Sequence, residues 1–142
     1  MTRISLDKGA FMPARAYEHD AGYDLRTPVD FVLPPASDMG DGWNVIDTGV
    51  HVEIPHGYVG FLKSKSGLNV KLCVTSDGTI DSGYTGSIRV KLYNHGSTWC
   101  NFKRGDKISQ LVILPIITPE LDVVDTLPET DRGDNGFGST GR

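Results

Sequence analysis

The sequence predicts an all-β domain, a sandwich or barrel of short strands, and three observations support this class. Seventeen glycines and eight prolines give 25 of 142 residues. They separate short runs rich in β-branched residues at intervals of roughly ten residues, which is typical of all-β folds. Within several runs apolar and polar residues alternate, as expected of strands that bury one face. We therefore expect a barrel or sandwich rather than alternating helices and strands.

The composition is that of an ordinary single domain with enough residues for a core. Hydrophobic residues make up 38% and charged residues 23% of the chain. A net charge of −4 argues against a nucleic-acid partner but permits a small polyanionic ligand, because local lysine and arginine clusters decide such binding. The longest apolar run, 111–117, is interrupted by Pro115, and no secretion signal opens the chain. We expect a cytoplasmic protein that uses no membrane, with Cys73 and Cys100 as free buried thiols.

In the first half of the chain, the strands follow from short β-branched runs and their turn residues. We expect strands at Ile4–Leu6, 21–26 and 29–33. Residues 36–42 are polar and without periodicity, so they predict a surface loop. A longer strand over 43–54, the turn Pro55-His56-Gly57 and a returning strand over 58–63 predict a hairpin.

Residues 63–71 predict the first candidate binding segment. Three lysines flank two serines there, and Ser66 is a candidate N-cap for one or two helical turns ending near Lys71. A helix N-terminus beside lysines attracts anions. A solvated charged loop is the alternative interpretation. The run 73–75 predicts a further strand.

Asp81 is the candidate that the turn signals single out. The dipeptides Asp77-Gly78 and Ser82-Gly83 flank it, so we expect Asp81 to project from a tightly constrained hairpin, with Tyr84 nearby. A plain turn-forming role is the alternative. We expect further strands at 87–93, 108–117 (which holds the polar Gln110) and 121–124, with a basic turn at 103–107.

The last eleven residues combine glycines with groups that bind phosphate. Arg132, Ser139 and Thr140 offer donors, glycine amides are open, and Phe137 is free to stack on a flat ring. The G-x-G-x-x-G match within this segment is not a dinucleotide fingerprint, because only one residue remains for a following helix. A disordered tail is the alternative. We expect a domain over residues 1–126, followed by a linker and mobile arm over 127–142.

Five segments of the sequence together resemble the trimeric dUTP pyrophosphatase family, in that family's motif order and over nearly the whole chain. They are Ala21-Gly22-Tyr23-Asp24-Leu25, Ser64-Lys65-Ser66-Gly67-Leu68, Gly78-Thr79-Ile80-Asp81-Ser82-Gly83-Tyr84-Thr85-Gly86, Gly105-Asp106-Lys107-Ile108-Ser109-Gln110-Leu111, and the stretch from Arg132 to Gly141. Any single motif is weak evidence. The resemblance implies a jelly-roll-type β-barrel with at most one short helix, a homotrimer with active sites at subunit boundaries, and conversion of dUTP and water to dUMP and pyrophosphate with Mg²⁺. This reaction limits uracil in DNA and supplies dUMP for thymidylate synthesis.

The resemblance also implies roles for individual residues. Asp81 is the candidate catalytic base, since an aspartate is ordinarily ionised at neutral pH and can take a proton from the attacking water. Tyr84 would exclude a 2′-hydroxyl, and Phe137 would stack on uracil. Magnesium would be held by phosphates and water, with Asp24 acting through a metal-bound water or having only a structural role. The expected substrate-binding residues are Lys65, Ser66, Gly67, Gly78, Thr79, Ile80, Tyr84, Arg89, Gln110, Arg132, Phe137, Gly138, Ser139 and Thr140.

One departure from the family pattern and two alternative functions accompany this interpretation. The second motif usually carries arginine where Lys65 stands, and lysine keeps the charge but not the two-pronged geometry. A dCTP deaminase is one alternative, although the Ile80-Asp81 and Tyr84 signature favours the pyrophosphatase. A nucleotide-gated protein-binding regulator of viral type is the other, with residues 36–42 as a possible contact surface.

Overall fold

The computed structural model describes residues 2–36 and 42–136, and it confirms the all-β class. Within these ranges there are ten strands and one short helix. The strands are β1 (Ile4–Leu6), β2 (Gly22–Arg26), β3 (Phe31–Leu33), β4 (Trp43–Asp47), β5 (Val50–Val52), β6 (Tyr58–Lys63), β7 (Val74–Ile80), β8 (Arg89–Asn94), β9 (Cys100–Phe102) and β10 (Lys107–Pro115). The helix is α1 (Ser66–Leu72).

The strands form one curled six-stranded sheet and two small sheets. The large sheet has the order β2-β10-β6-β7-β8-β4, and the small ones pair β1 with β5 and β3 with β9. All of the pairings are antiparallel. A single cluster of buried side chains fills the interior, including Leu25, Leu62, Val90, Ile108 and Leu111. Alternating burial along the strands, as in β8, agrees with the alternation in the sequence.

The register places four polar residues side by side on neighbouring strands. Asp24 is opposite Gln110, Gln110 is opposite Lys63, and Lys63 is opposite Asp77. Directly paired residues of antiparallel strands project from the same face, so this row lies on the outer face of the large sheet. The sheet therefore brings the first, second and fourth motifs together.

The predicted hairpin between 43–54 and 58–63 is wrong. The first run is two strands, because Gly49 takes a left-handed conformation with φ of +67° and ends the extended run. Strand β4 pairs with β8, β5 pairs with β1, and β6 pairs with β7 and β10. The turn at Pro55-His56-Gly57 therefore passes the chain from one sheet to another.

The turn predicted at Asp77-Gly78 is also wrong, because β7 runs straight through it. Gly78 faces the core, and a Cβ there would lie 3.0 Å from Cδ1 of Leu62. The glycine therefore serves close packing between strands. Asp81 begins the turn that follows β7, where the amide of Tyr84 donates to the Asp81 carbonyl at 3.2 Å.

Two further expectations need correction. No strand forms at 121–124 within the described residues, and Leu121 and Val123 are 93% and 96% exposed, because no other described strand lies alongside them. Cys100 is buried as expected, but Cys73 is exposed and ends α1 in a left-handed conformation with φ of 54°. Both thiols are free.

Candidate active site

A buried carboxylate lies at the centre of the first site cluster. Asp24, on β2, is 5% exposed and accepts hydrogen bonds from Lys65 on Oδ1 and from Lys107 on Oδ2, the latter at 2.6 Å. Lys107 begins β10, and Lys65 precedes α1. Two ammonium groups and one carboxylate leave a local excess of one positive charge, which suits an anionic ligand.

The charge state of Asp24 follows from these partners. Burial by itself would raise the pKa of the Asp24 carboxyl, but the hydrogen bonds and charges of Lys107 and Lys65 outweigh it, so the pKa lies below its usual range. Asp24 is therefore an anion at neutral pH, and it aligns both lysines at the mouth of an open depression.

Gln110 lies beside this cluster on β10. Its Nε2 donates to the carbonyl oxygen of Ser64 at 3.1 Å, and the side chain passes over Gly22. A Cβ on Gly22 would lie 2.3 Å from Oε1 of Gln110, so only glycine leaves room for this side chain. The first motif thus needs Gly22 to seat Gln110 from the fourth motif.

The segment before α1 holds the second motif against the sheet. Ser64 Oγ accepts from the amide of Ser76 at 2.9 Å and donates to its carbonyl at 3.0 Å. The prediction that Ser66 caps the helix is wrong: the N-cap is Lys65, with no side-chain cap, because Ser66 is already within the helix. Around Gly67 there is open space for a further group, since a Cβ there would meet nothing within 4 Å.

Two neighbouring depressions share Lys65 and form one open surface. The first is about 360 Å³ and the second about 380 Å³. Their lining residues from the motifs are Ala21, Gly22, Asp24, Lys65, Gly67, Leu68, Lys107 and Gln110, and Lys63 beside the second motif also lines the first depression. Lysine ammoniums and an amide thus face an open space large enough for a phosphate chain.

Strand β7 separates from β8 beyond Ser76, and we call the edge of β7 that β8 leaves unpaired the slot. Their ladder ends at the pair Ser76 and Leu92, while β7 continues to Ile80 paired only with β6 among the described strands. Backbone groups of alternate residues in an antiparallel strand point to opposite sides. The segment Gly78–Ile80 therefore presents some of its N–H and C=O groups to this slot.

The turn after β7 carries the third motif. Gly83 takes a φ of +87°, and the Tyr84 hydroxyl donates to the Ser87 carbonyl at 2.9 Å. The Tyr84 ring lies over Gly86, where a Cβ would come within 2.5 Å of the hydroxyl. Asp81 is exposed at the start of the turn. Arg89, at the start of β8, lies beside Asp47 with Nε 3.5 Å from Oδ2.

Within one chain the third motif lies apart from the lysine cluster. Lys63 is opposite Asp77, and Asp81 follows four residues later along an extended strand, which separates the two positions by about 13 Å. Lys65 follows Lys63 in the chain and lies on the side of Lys63 that is away from Asp81. The chain therefore brings together Asp24, Lys65 and Gln110, but not Asp81 or Tyr84.

Part of the predicted site lies outside the described residues. Phe137, Gly138, Ser139 and Thr140 belong to this group. Arg132 is described and exposed, and its Nε donates to the Asn135 carbonyl at 3.1 Å.

Lys107 is the functional candidate that the sequence argument missed. It was part of the fourth motif and of the basic turn 103–107, but it received no role. Its contact with Asp24 depends on the pairing of β2 with β10, which are separated by about eighty residues of chain. The only local signal was the lysine itself.

The side chains offer no cage for a metal ion. Among the described residues no group of three His, Cys, Asp or Glu is placed to hold one. Both carboxylate oxygens of Asp24 already accept from lysines. This donor set fits a Mg²⁺ held mainly by ligand phosphates and water.

No helix of the described ranges is long and apolar enough to cross a membrane.

Known proteins resemble this chain in sequence and in fold. The dUTPase family model matches residues 8–141. The deoxyuridine 5′-triphosphate nucleotidohydrolase of Maricaulis maris is 39% identical over 137 residues, covering 94% of this chain and 90% of the relative. A mutant dUTPase of Staphylococcus bacteriophage 80alpha, solved with dUpNHpp, has a TM-score of 0.90 and 33% identity, covering 100% of this chain and 99% of that one. A mutant dUTPase of phage phi11, which coordinates a structural Mg(II) ion, has a TM-score of 0.79 and 32% identity, covering 89% and 97%.

Proposed function

The chain belongs to the dUTPase family, and we propose that it hydrolyses dUTP to dUMP and pyrophosphate. The observation that supports this most directly is that one sheet carries both a lysine cluster suited to phosphates and, some distance along it, a backbone edge suited to a nucleobase. The family match favours this function over dCTP deamination and over a purely regulatory role. In the cell the reaction limits uracil in DNA and supplies dUMP for thymidylate synthesis.

The chemical step needs an oriented water and charge neutralisation on the phosphates. We assign the water to Asp81: its carboxylate takes a proton while the water oxygen bonds to the α-phosphorus, and the bond from that phosphorus to the bridging oxygen breaks. Pyrophosphate is the leaving group. The turn bond between Tyr84 and Asp81 fixes the direction of the loop backbone that carries this carboxylate.

Recognition of uracil is assigned to the slot between β7 and β8. The backbone groups of Gly78, Thr79 and Ile80 that face the slot would pair with the uracil edge, with Arg89 at its margin. Cytosine presents a donor where uracil presents an acceptor, so it would leave a backbone group unpaired. Tyr84 would pack against the deoxyribose and exclude a 2′-hydroxyl.

The phosphate chain is assigned to the lysine cluster. Lys65, Gly67, Gln110 and Lys107 line the open surface. We assign Ser66 and the amide of Gly67, at the start of α1, to the same role. Magnesium, when bound to the phosphates, would neutralise their charge and align them. Asp24 keeps the two lysines in place and, in this proposal, also faces a water of the metal.

We further propose a homotrimer with shared sites and a closing arm. The separation of Asp81 from Lys65 supports this, because a single chain does not place the base slot next to its own phosphate cluster. The exposed apolar residues after β10, such as Ile117 and Leu121 at 93% each, also suit contact with a neighbouring subunit. The arm over 127–142 would close the site: Phe137 would stack on uracil, and the phosphate end would contact Arg132, Gly138, Ser139 and Thr140.

Mixing two inactive variants tests the shared site. Chains with Asp81→Asn lack the catalytic carboxylate, and chains that end at residue 131 lack the arm. After subunit exchange, mixed trimers should regain part of the dUTPase activity, measured by pyrophosphate release. Exchange without recovery would contradict the shared site. Asp81→Asn alone should lower kcat by roughly 10²–10⁴-fold while the melting temperature stays unchanged.

Substrate preference tests the function itself. The protein should release pyrophosphate from dUTP much faster than from dCTP, dTTP or UTP. Ammonia release from dCTP at a comparable rate would instead indicate a deaminase.

A further inference from the structure

His51 connects strand β5 to the loop that carries Asp81 and Tyr84. Its Nδ1 lies 2.8 Å from the carbonyl oxygen of Thr85, and its Nε2 lies 3.3 Å from Oδ1 of Asp7. The imidazole is 27% exposed, so it is partly shielded from water. One side chain thus bridges the segment after β1 and the end of the third motif.

Both partners of the imidazole are hydrogen-bond acceptors. A backbone carbonyl and a carboxylate have no proton to donate, and a neutral imidazole carries only one N–H. Only the imidazolium form of His51 can therefore donate to both. After deprotonation, either tautomer leaves a ring lone pair facing an oxygen atom, at Thr85 or at Asp7.

The charges around the ring favour its protonation. The Thr85 carbonyl and then Asp7 raise the pKa of His51, burial opposes them, and Asp47 adds a smaller effect in the same direction as Asp7. The depression beside the ring is also lined by Arg3 and Glu53, whose opposite charges are paired with each other. His51 is therefore charged below its raised pKa and neutral above it.

Other contacts of the same loop do not depend on this titration. The hydroxyl of Thr48 donates to the Ile88 carbonyl at 2.7 Å, and the Ile88 amide donates to Val50 at 2.8 Å. The Ser87 hydroxyl donates to Asp47. These bonds fix the end of the loop at β8, whereas Thr85, three residues before Ile88, is tied to the body of the protein through His51.

We propose that His51 is a positioning residue whose bridge from Asp7 to the loop of Asp81 and Tyr84 is complete only while its imidazole is protonated. The placement of Asp81 and Tyr84 then depends on pH through a residue to which we assign no contact with the substrate. The link to activity rests on the roles proposed for Asp81 and Tyr84. The link between protonation and loop order does not, because it concerns the free protein.

The pH dependence of kcat/KM for dUTP tests the proposal. As His51 deprotonates, kcat/KM of the natural chain should fall about fivefold relative to kcat/KM of His51→Gln. This is the effect of one weakened hydrogen bond. Glutamine can donate to Thr85 without titrating, so its profile should lack this step. Asp7→Asn should shift the step to lower pH. His56→Gln, in an exposed turn, is the matched control and should keep the natural profile.

A measurement without substrate separates this proposal from the proposed function. In isotope-labelled protein, the His51 imidazole should titrate above its ordinary pKa, and Asp7→Asn should lower that value. Amide hydrogen exchange between Tyr84 and Ser87, corrected for intrinsic rates, should accelerate as His51 deprotonates. A His51→Gln profile that matches the natural one, or a titration that Asp7→Asn leaves unchanged, overturns the proposal. Loss of dUTP hydrolysis in every chain would overturn only the proposed function.

Discussion

Replacing Asp24 with asparagine should destabilise the protein more than replacing any exposed aspartate. Asp24 is 5% exposed and holds Lys65 and Lys107, whose side chains are 25% and 39% exposed. Without the carboxylate the two ammonium groups would face each other across a neutral amide. Removing one partner of a fully buried ion pair costs about 3–5 kcal/mol, and since these lysines keep some water we expect about 2–3 kcal/mol.

The matched control is Asp30→Asn. Asp30 accepts from Lys103 at 2.9 Å, but both side chains are exposed, 58% and 75%, so water screens the pair and its loss should cost much less stability than the loss of Asp24. Urea unfolding at pH 7 and fixed protein concentration gives both free energies of unfolding. Equal losses in the two variants would refute the argument that burial makes the Asp24 cluster important.

The difference in the free energy of unfolding between the natural chain and Asp24→Asn should also depend on pH, which provides a second check. The folded-state pKa of Asp24 is lowered, so its stabilising contribution is present above the pKa of an unfolded aspartate, about 3.9, and is lost as the pH falls through the lower folded value. The difference between the natural chain and Asp24→Asn should therefore be constant near neutrality and shrink below about pH 4. A difference that grows on acidification would contradict the assigned charge state.

Two further substitutions test the phosphate surface. Gly22→Ala should lower kcat/KM at least tenfold with little loss of stability, because the new Cβ would lie 2.3 Å from Oε1 of Gln110 and displace that flexible side chain. The double variant with Gln110→Ala should have the same kcat/KM as Gln110→Ala alone. Lys65→Arg should lower KM several-fold, since a guanidinium binds phosphate with two parallel donors. Lys8→Arg, at an exposed lysine outside both depressions, should leave KM unchanged. Steady-state kinetics with dUTP test both predictions. Additive losses in the Gly22 and Gln110 double variant would contradict the first, and an unchanged KM in Lys65→Arg would contradict the second.

The sequence predicted the class of fold and most strands because those signals are local. Alternation and turn residues identified β6 and β8 with no knowledge of their partners. Pairing was harder to predict, since a hairpin signal such as Pro55-His56-Gly57 is compatible with any destination for the next strand. Gly78 was misassigned for a related reason. Its missing side chain could mean a turn or close packing, and only the position of Leu62 decides between them.

Candidate site residues were predictable through the motif resemblance, while the connections among them were not. The sequence did not decide whether Asp24 acts near a metal or has a structural role. The two lysines that fix its charge come from distant parts of the chain, the N-cap of α1 and strand β10. His51 carried no signal at all. Its two acceptors, Asp7 and the Thr85 carbonyl, are far from it in the chain.

The separation of the two candidate subsites links the fold to the mixing experiment. Pairing of β6 with β7 is what places Lys63 opposite Asp77, and the same straight pairing carries Asp81 about 13 Å away along the sheet. No rotation of side chains closes that distance without breaking the ladder. In the proposed trimer, a second chain supplies either the lysines or the catalytic carboxylate to a triphosphate that contacts both subsites. Variants in the lysine cluster and in the Asp81 loop should then complement each other in mixed oligomers, and two variants within the lysine cluster should not.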